Sequence, residues 1–458
     1  MAGRRMRRLA AATVLLSSLA VPIARGDAES PPIAAVILAL MVVVAAVSPG
    51  AALGAAVLAL PTAYELFPLP GGTFSLLEVS VLALVSGLGI RLVTSGRNAW
   101  RSAWHALSDE VAIVLPAVAI VPVAGLAYFM LPNGGVKDVA LREIRLTIVE
   151  PLLVLGGALI VLREGQARRW AWVCGVVIGT AIAAGACVQV AGGFGGVDSG
   201  ALTRATGIYS HPNNLALFLE RTLLLSLPAL LFRPREPLLW LSCLVQGAGF
   251  MLTFSRGGLL AVGVGVGILL LMLGKRQWFR TGIALTVGVA AVLFVLGRER
   301  LFDLGGSGSE PTRFAIWRSS MRMLLDHPVF GVGPDQFLYQ YGRRYIEPSA
   351  WPERYTSHPH NIVLDVWLRL GAAGVGAFAV LATGVSSFVW RMRTTIRTDP
   401  IACGAVAALA GGAAHGLVDN GFFLPDLAAA TWIAIAMLLT LDHRGPDAVP
   451  EGNGADDP

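Results

Sequence analysis

The sequence predicts an all-α protein: a bundle of about 12–14 transmembrane helices with one large extracytoplasmic loop that contains amphipathic helices. Hydrophobic residues make up 55% of the 458 residues and charged residues only 14%, whereas a soluble domain carries about 25% charged residues. The mean hydropathy is +0.67. Long apolar runs alternate with short arginine clusters along the chain. These observations together predict an integral membrane protein.

About fourteen apolar stretches are long enough to be candidates for crossing a hydrocarbon core of about 30 Å, although the first three are short. An alternative for the first stretch is a signal peptide, because a basic segment precedes a short apolar core. The stretches lie near residues 9–24, 33–47, 50–66, 74–93, 111–131, 145–162, 170–191, 213–232, 238–254, 257–274, 280–297, 361–390, 400–418 and 424–441.

The arginine clusters predict the topology. With the N-terminus in the cytoplasm, strict alternation of the spans places these clusters inside, as the positive-inside rule requires. The isoelectric point is about 9.4, but the charge is divided among short loops, which argues against a nucleic-acid partner. We expect an N-terminal bundle (1–200), helices that carry two arginine motifs (201–297), a large extracytoplasmic loop (298–360), C-terminal helices (361–441) and a disordered cytoplasmic tail (442–458).

Two arginines lie on the predicted outer side of the membrane, where the positive-inside rule does not expect positive charge. Arg204 lies shortly before the segment His211-Pro212-Asn213-Asn214, and Arg256 lies in Ser255-Arg256-Gly257-Gly258 between two spans. A guanidinium group binds phosphate oxygens through two parallel hydrogen bonds. An arginine that snorkels to the membrane surface is the alternative, but the outer position favours an anionic partner.

Histidines lie on the same predicted side. His358 and His360 precede the span that begins near residue 361, and His415 precedes Asp419 at the end of another span. Imidazole, with an unperturbed pKa of about 6.5, suits general acid–base chemistry near neutral pH. His211 and His415 have structural alternatives as helix caps or interhelical hydrogen-bond partners.

The large loop is predicted to fold. An amphipathic helix is expected to end at His327-Pro328, and an aromatic run follows it. The aromatic run suits stacking on sugar rings, and a folded cap with its own hydrophobic cluster is an equal alternative. The predicted apolar face consists of Phe314, Trp317, Met321 and Leu324, and the aromatic run of Phe337, Tyr339, Tyr341 and Tyr345.

No metal site and no cofactor are predicted. The predicted outer loops contain no Asp-x-Asp motif, and no His, Asp and Glu residues cluster at ligand spacing along the chain. The four cysteines lie singly inside apolar runs, which is typical of small buried side chains.

In order and spacing, these motifs resemble the O-antigen ligase / O-antigen polymerase superfamily of polytopic bacterial membrane proteins. The resemblance covers about residues 200–440 and includes His360-Asn361, nine residues, Gly371, two residues and Gly374. It also rests on the motifs at Arg204–Gly207, His211–Asn214, Ser255–Gly258, His327–Gly333, His415 and Asp419-Asn420.

The resemblance implies a metal-independent glycosyltransferase of the bacterial inner membrane whose active face is periplasmic. Its donor would be a glycan on undecaprenyl pyrophosphate, bound by Arg204 and Arg256, and its acceptor a growing polysaccharide or the lipid A–core. His360 would deprotonate the acceptor hydroxyl, with His358 as the alternative base. Supporting roles would fall to His211, Asn214, Ser255, Asn361, His415 and Asp419.

Two other functions stay open at this point. A protein O-oligosaccharyltransferase would use the same donor, and nothing in the sequence identifies the acceptor. A polysaccharide or lipid transporter would be expected to show inverted repeats, which the sequence does not display, and a scaffold would leave the outer arginines unexplained.

Overall fold

The computed structural model describes residues 31–69, 72–164, 166–199, 202–274 and 309–441. This part of the chain is an all-α helix bundle with two short antiparallel hairpins, β1 (Leu66–Leu69) with β2 (Gly72–Ser75) and β3 (Val197–Ser199) with β4 (Leu202–Arg204), so the predicted fold class is confirmed. The helices are α1 Pro31–Val47, α2 Pro49–Ala59, α3 Leu76–Thr94, α4 Arg97–Ser108, α5 Val111–Phe129, α6 Lys137–Ile144, α7 Glu150–Val161, α8 Ala167–Ala191, α9 Pro212–Phe232, α10 Pro237–Met251, α11 Arg256–Leu273, α12 Ser309–Asp326, α13 Phe337–Gln340, α14 Ile362–Arg391, α15 Arg393–Ile396, α16 Pro400–Gly416 and α17 Pro425–Leu439.

Seven of the described helices are long and apolar enough to cross a membrane, and each matches one predicted span. A π-helical turn, Arg145–Val149, joins α6 and α7 into one of them. Five further predicted spans correspond to the shorter apolar helices α1, α2, α10, α16 and α17. The predicted spans 9–24 and 280–297 lie outside the described residues. The seven are α3, α5, α6–α7, α8, α9, α11 and α14.

Helix α16 packs closely against α9 and α11. A Cβ atom added to Gly411 would lie 2.8 Å from the backbone oxygen of Ala261, and one added to Gly265 would lie 2.8 Å from that of Ala407. Small residues allow backbones to approach this closely, and packing of this kind is what holds helices together in a lipid environment. The three helices therefore form a tight group that fixes the ends of α9 and α11 beside the end of α16.

Helix α14 is broken at Gly371, which has φ 70° and ψ −171°. The break leaves the carbonyl of Leu368 without its helical partner, and this oxygen accepts hydrogen bonds from the N–H groups of Val332 (2.7 Å) and Gly333 (3.1 Å). On the other side of the break, Ala372 N donates to Val329 O at 2.9 Å. The glycine of the sequence signature thus opens a slot in α14, and the loop segment 329–333 is hydrogen-bonded into it.

Replacing Gly371 with alanine is expected to destabilise the protein by roughly 1–3 kcal/mol. The substitution places a side chain in the left-handed region, and its Cβ would lie 2.0 Å from Val329 O. Gly376→Ala in the same helix is the matched control, since a Cβ there meets nothing within 4 Å. Thermal unfolding in detergent should show a lower midpoint for Gly371→Ala only. Equal midpoints would contradict the role assigned to the break.

Residues 309–360 form a cap with a hydrophobic cluster of their own. Helix α12 confirms the predicted amphipathic helix and ends at Asp326, but only part of its predicted apolar face is right: Leu324 is buried and Trp317 is half-buried. Phe314 and Met321 are exposed. The face buried in the cap is instead the one that carries Ala315, Ile316, Ser319, Ser320 and Met323.

An ionic cluster attaches the cap and α14 to the N-terminal half of the chain. Arg369 is buried and bonds Asp365 of the same helix at 2.8 Å and Glu143 of α6 at 2.7 Å. The side-chain amide of Gln336 bonds both the N–H (2.7 Å) and the C=O (3.0 Å) of Val136. These contacts hold the first turns of α14 in place.

Candidate functional site

The N-terminal ends of α9, α11 and α14 meet at the turn that follows α16. Asn213 Nδ2 in the first turn of α9 donates to Asp419 Oδ2 at 2.9 Å. Asn361, which caps α14, donates from Nδ2 to Leu417 O at 3.0 Å. The start of α11 is so close that a Cβ on Gly257 would lie 2.5 Å from His415 Nε2. Three helix N-termini, each with a partial positive charge, therefore surround one turn.

Three predicted residues cap these helices. The Asn361 side chain accepts from the N–H groups of Val363 and Leu364, and the Ser255 side chain accepts from Gly258 N. His211 accepts from Asn213 N through Nδ1 at 3.1 Å. Capping satisfies N–H groups that have no partner inside the helix. The structural alternative given for His211 is thus confirmed.

His360 and Asp419 form a hydrogen-bonded dyad. His360 Nδ1 lies 3.0 Å from Asp419 Oδ1, and Asp419 is 4% exposed. Burial acts to raise the pKa of Asp419, but the hydrogen bond and charge of His360 hold this pKa well below its usual value. An ionised carboxylate can only accept, so Nδ1 carries a proton; whenever the ring holds a single proton, Nε2 has the free lone pair. The only side chain bonded to Nε2 among the described residues is Thr356, whose Oγ1 is 3.3 Å away.

The backbone of His360 adopts φ 52°, in the left-handed region. For a residue with a Cβ this conformation costs on the order of 1–3 kcal/mol and persists only where the surroundings enforce it. Here the enforcing contacts are the Asn361 cap and a hydrogen bond from His360 N to His358 Nδ1 of 3.2 Å. The strain turns the imidazole toward Asp419.

His358 lies against His360, with ring centroids 4.3 Å apart in an edge-on arrangement. Burial, followed by the charge of His360, lowers the pKa of His358 to about 3. Its Nδ1 already accepts from His360 N, so the proton of the neutral ring lies on Nε2, which is 4.0 Å from Asp419 Oδ1. His358 thus has no lone pair directed at a substrate.

Arg204 is buried beside the turn that precedes α11. Its Nε donates to Thr253 O at 2.8 Å, and its Nη2 donates to Asn213 Oδ1 at 3.0 Å. The N–H of Ala205 donates to Leu252 O at 2.9 Å, which fastens β4 to this turn. Arg256 is the first residue of α11 and is half-buried. The structure therefore brings both predicted arginines to the same end of the bundle as His360.

His415 is buried in a second polar cluster. Its Nδ1 lies 2.6 Å from Glu220 Oε2, and Glu220 also bonds Arg221 at 3.4 Å. Arg221 Nη2 donates to Gly421 O at 2.5 Å. The Glu220–His415 contact joins residues 195 positions apart and had no signal in the sequence. His415 supports the start of α11 and does not touch His360.

Three polar residues complete the site without having been predicted. Asn213, and not the predicted Asn214, reaches Asp419; Asn214 is half-buried one position along α9. Thr356 contacts His360, and Arg313 of α12 lies 3.8 Å from Asp419 Oδ2. Of these three residues, only Asn213 had a signal in the sequence, because it belongs to the motif His211-Pro212-Asn213-Asn214.

His358, His360 and Asp419 offer donor atoms that all lie within 4.8 Å of one another, so they form a candidate metal centre. Spacing along the chain did not indicate this cluster, because Asp419 is 59 positions from His360. The chemistry of the set nevertheless fits a dyad better than a cation site. A divalent ion would break the Nδ1–Oδ1 hydrogen bond and would face the guanidinium of Arg313.

Comparisons with known proteins relate part of the chain to a family. Residues 241–379 match the family model described as O-antigen ligase. This segment contains Arg256, the cap (309–360) with His358 and His360, and Gly371. No curated protein matches the chain. The match supports membership of the O-antigen ligase family over residues 241–379, and with it glycan transfer of the O-antigen ligase or polymerase type by a glycosyltransferase-like enzyme.

Proposed function

We propose that this chain transfers a glycan from undecaprenyl pyrophosphate to an acceptor hydroxyl at the periplasmic face of the bacterial inner membrane. The observation that carries the proposal is the His360–Asp419 dyad at three helix N-termini. A dyad of this kind supplies a base, and converging helix N-termini favour an anion. The family match over residues 241–379 supports glycan transfer in general.

His360 is the base in this proposal. The acceptor hydroxyl gives its proton to Nε2, its oxygen bonds to the anomeric carbon, and the anomeric carbon–oxygen bond to pyrophosphate breaks. The bonding electron pair leaves with the pyrophosphate, so the anomeric configuration inverts. Asp419 holds the imidazole in the correct tautomer and stabilises the imidazolium that forms. His358 is excluded as the base because its Nδ1 accepts from the backbone of His360.

The pyrophosphate is assigned to Arg204, Arg256 and the start of α11. Arg204 reaches Thr253, three positions before Arg256, so both guanidinium groups belong to one rigid turn. Charge on the leaving group develops as the bond breaks, and preorganised cations and helix dipoles stabilise it at that moment. Because a lipid pyrophosphate is already a good leaving group, the proposed reaction needs no metal ion.

An apolar cavity provides room for the polyprenyl chain. It has a volume of about 910 Å³ and runs between α14, α16 and α17. Its lining includes Ile362 and Leu417 at the end that carries His360, and Trp390 and Arg393 at the opposite end. A groove that extends along the helices from the site suits a long hydrocarbon chain.

The direct test uses the purified chain in proteoliposomes with an undecaprenyl-pyrophosphate oligosaccharide. Products are scored for chain growth and for transfer to a lipid A–core acceptor, with a Ser/Thr peptide as the third acceptor for the alternative of protein glycosylation. We expect transfer to one of the two glycan acceptors, undiminished by EDTA. No transfer to any acceptor would overturn the proposal, and loss of transfer in EDTA would overturn its metal independence.

Replacing Arg256 with lysine is expected to lower the transfer rate roughly 10–100-fold, since lysine keeps the charge but loses the paired hydrogen bonds worth about 1.5–3 kcal/mol. Arg235→Lys is the matched control, because Arg235 is exposed in the connection between α9 and α10, at the other end of both helices from the site. Initial rates with the same donor measure both variants. Near-normal turnover of Arg256→Lys would instead indicate a topological role.

A further inference from the structure

The cap carries two exposed aromatic side chains, Trp351 and Tyr355, a few residues before His360 in the sequence. Trp351 is 56% exposed and Tyr355 is 75% exposed. By contrast, most of the aromatic run that the sequence suggested for sugar stacking is buried: Phe337 and Tyr341 stack on each other at 5.0 Å inside the cap cluster. Trp351 and Tyr355 are therefore better placed to bind a sugar than this run.

Arg354 holds these two rings. Its Cζ lies 5.3 Å from the ring centroid of Trp351 and 4.6 Å from that of Tyr355, and its Nη1 donates to Trp351 O at 3.1 Å. The backbone is fixed as well, by hydrogen bonds from Arg354 N to Trp351 O and from Thr356 N to Glu353 O. The two rings and the guanidinium group thus form a preorganised surface, which we call the aromatic platform (Trp351, Arg354 and Tyr355).

The platform lies beside the proposed base. Tyr355 is bonded to Thr356, so their Cα atoms are about 3.8 Å apart, and Thr356 Oγ1 lies 3.3 Å from His360 Nε2. Thr356 Oγ1 occupies the position that a hydroxyl must take to give its proton to Nε2. Its own proton has a second acceptor in His358 O at 3.1 Å, so an incoming hydroxyl can replace it at the imidazole.

We propose that the aromatic platform is the subsite for the acceptor glycan, where a pyranose ring stacks on Tyr355 and Trp351 while its nucleophilic hydroxyl reaches His360. The C–H groups on one face of a pyranose are complementary to the negative face of an aromatic ring. Arg354 uses one of its five N–H donors on Trp351 O, and a guanidinium fork binds hydroxyl or carboxylate oxygens of a sugar. This inference rests on the proposed function and deepens it.

A bilayer surface is the competing partner for exposed aromatic side chains. Polar exposed residues, Glu353 and Ser357, lie within and just after the platform in the sequence. Only Thr356 separates Tyr355 from Ser357, and His360 follows three residues later. These neighbours favour a sugar, and the test distinguishes the two partners.

The variants are Tyr355→Ala, Trp351→Ala and the conservative Tyr355→Phe, with Trp104→Ala in α4 as a matched exposed tryptophan (69% exposed). Acceptor KM, donor KM and kcat are measured in proteoliposomes. We expect the two platform alanine variants to raise the acceptor KM at least tenfold, with kcat and donor KM within twofold of wild type. Tyr355→Phe and Trp104→Ala should match wild type.

A second measurement needs no turnover. Saturation-transfer NMR without donor reports binding of a soluble core oligosaccharide and, separately, of a repeat-unit oligosaccharide. Binding of one of them by wild type and its loss in Tyr355→Ala would support the subsite even if the transfer assay failed. Binding of neither oligosaccharide, or an unchanged acceptor KM in an active Tyr355→Ala variant, would overturn it. A change confined to liposome-dependent thermal stability would assign the platform to the bilayer.

Discussion

Replacing His360 with alanine is expected to abolish glycan transfer while the amount of protein in the membrane stays unchanged. A positioned general base contributes about 10²–10⁴-fold to a rate, and among the histidines of the site His360 is the one whose ring nitrogen lies against a hydroxyl. Methyl in place of imidazole leaves the Asn361 cap and the start of α14 intact. Initial transfer rates, normalised to the folded protein recovered in detergent, measure the effect.

His358→Asn is the matched control for this variant. An asparagine Oδ1 can accept the N–H two residues ahead, so it reproduces the contact of His358 Nδ1 with His360 N. We expect this variant to retain transfer within about tenfold of wild type, since it removes an imidazole without removing the base. Full activity of His360→Ala, or equal losses in both variants, would contradict the assignment of the base.

Replacing Asp419 with asparagine is expected to lower the rate by roughly 10²–10⁴-fold, because the amide can donate to Nδ1 and so move the proton of the ring to Nε2. The lone pair would then face away from the acceptor. Asp419 also accepts from Asn213 and Asn420, so some stability is lost too. Asp426→Asn is the control: this buried carboxylate accepts from Tyr64 and Tyr209.

The two asparagine variants separate proton chemistry from folding. Thermal midpoints should fall in both, since each removes a buried carboxylate from its hydrogen-bond partners. The transfer rate should fall by orders of magnitude only in Asp419→Asn. Similar rates in the two variants would show that Asp419 acts on stability alone and does not set the tautomer of His360.

The fold class and the positions of most spans could be predicted from the sequence because hydropathy is a local property of the chain. The caps at Asn361 and Ser255 follow from the same local pattern, since each precedes an apolar run. Sequence spacing identified Gly371, but not the reason for it. That reason is a loop segment about forty residues earlier, at Val329–Gly333, which hydrogen-bonds across the break.

The rest of the site depends on contacts between distant segments, which one sequence does not display. Asp419 meets His360 across 59 positions, and Glu220 meets His415 across 195. The buried face of α12 was misjudged for a different reason. The buried face combines the small residues Ala315, Ser319 and Ser320 with Ile316, Met323 and Leu324, and a count of large apolar residues does not find the small ones.

The stereochemistry of the transferred linkage tests the central claim most directly, namely that His360 activates the acceptor hydroxyl for a single displacement on the lipid-linked donor. NMR of the product from the proteoliposome assay gives the anomeric configuration of the new bond, to be compared with that of the donor. One displacement predicts inversion, together with release of one undecaprenyl pyrophosphate for each linkage formed. Retention of configuration would require a covalent glycosyl-enzyme intermediate and would contradict the role given to the His360–Asp419 dyad.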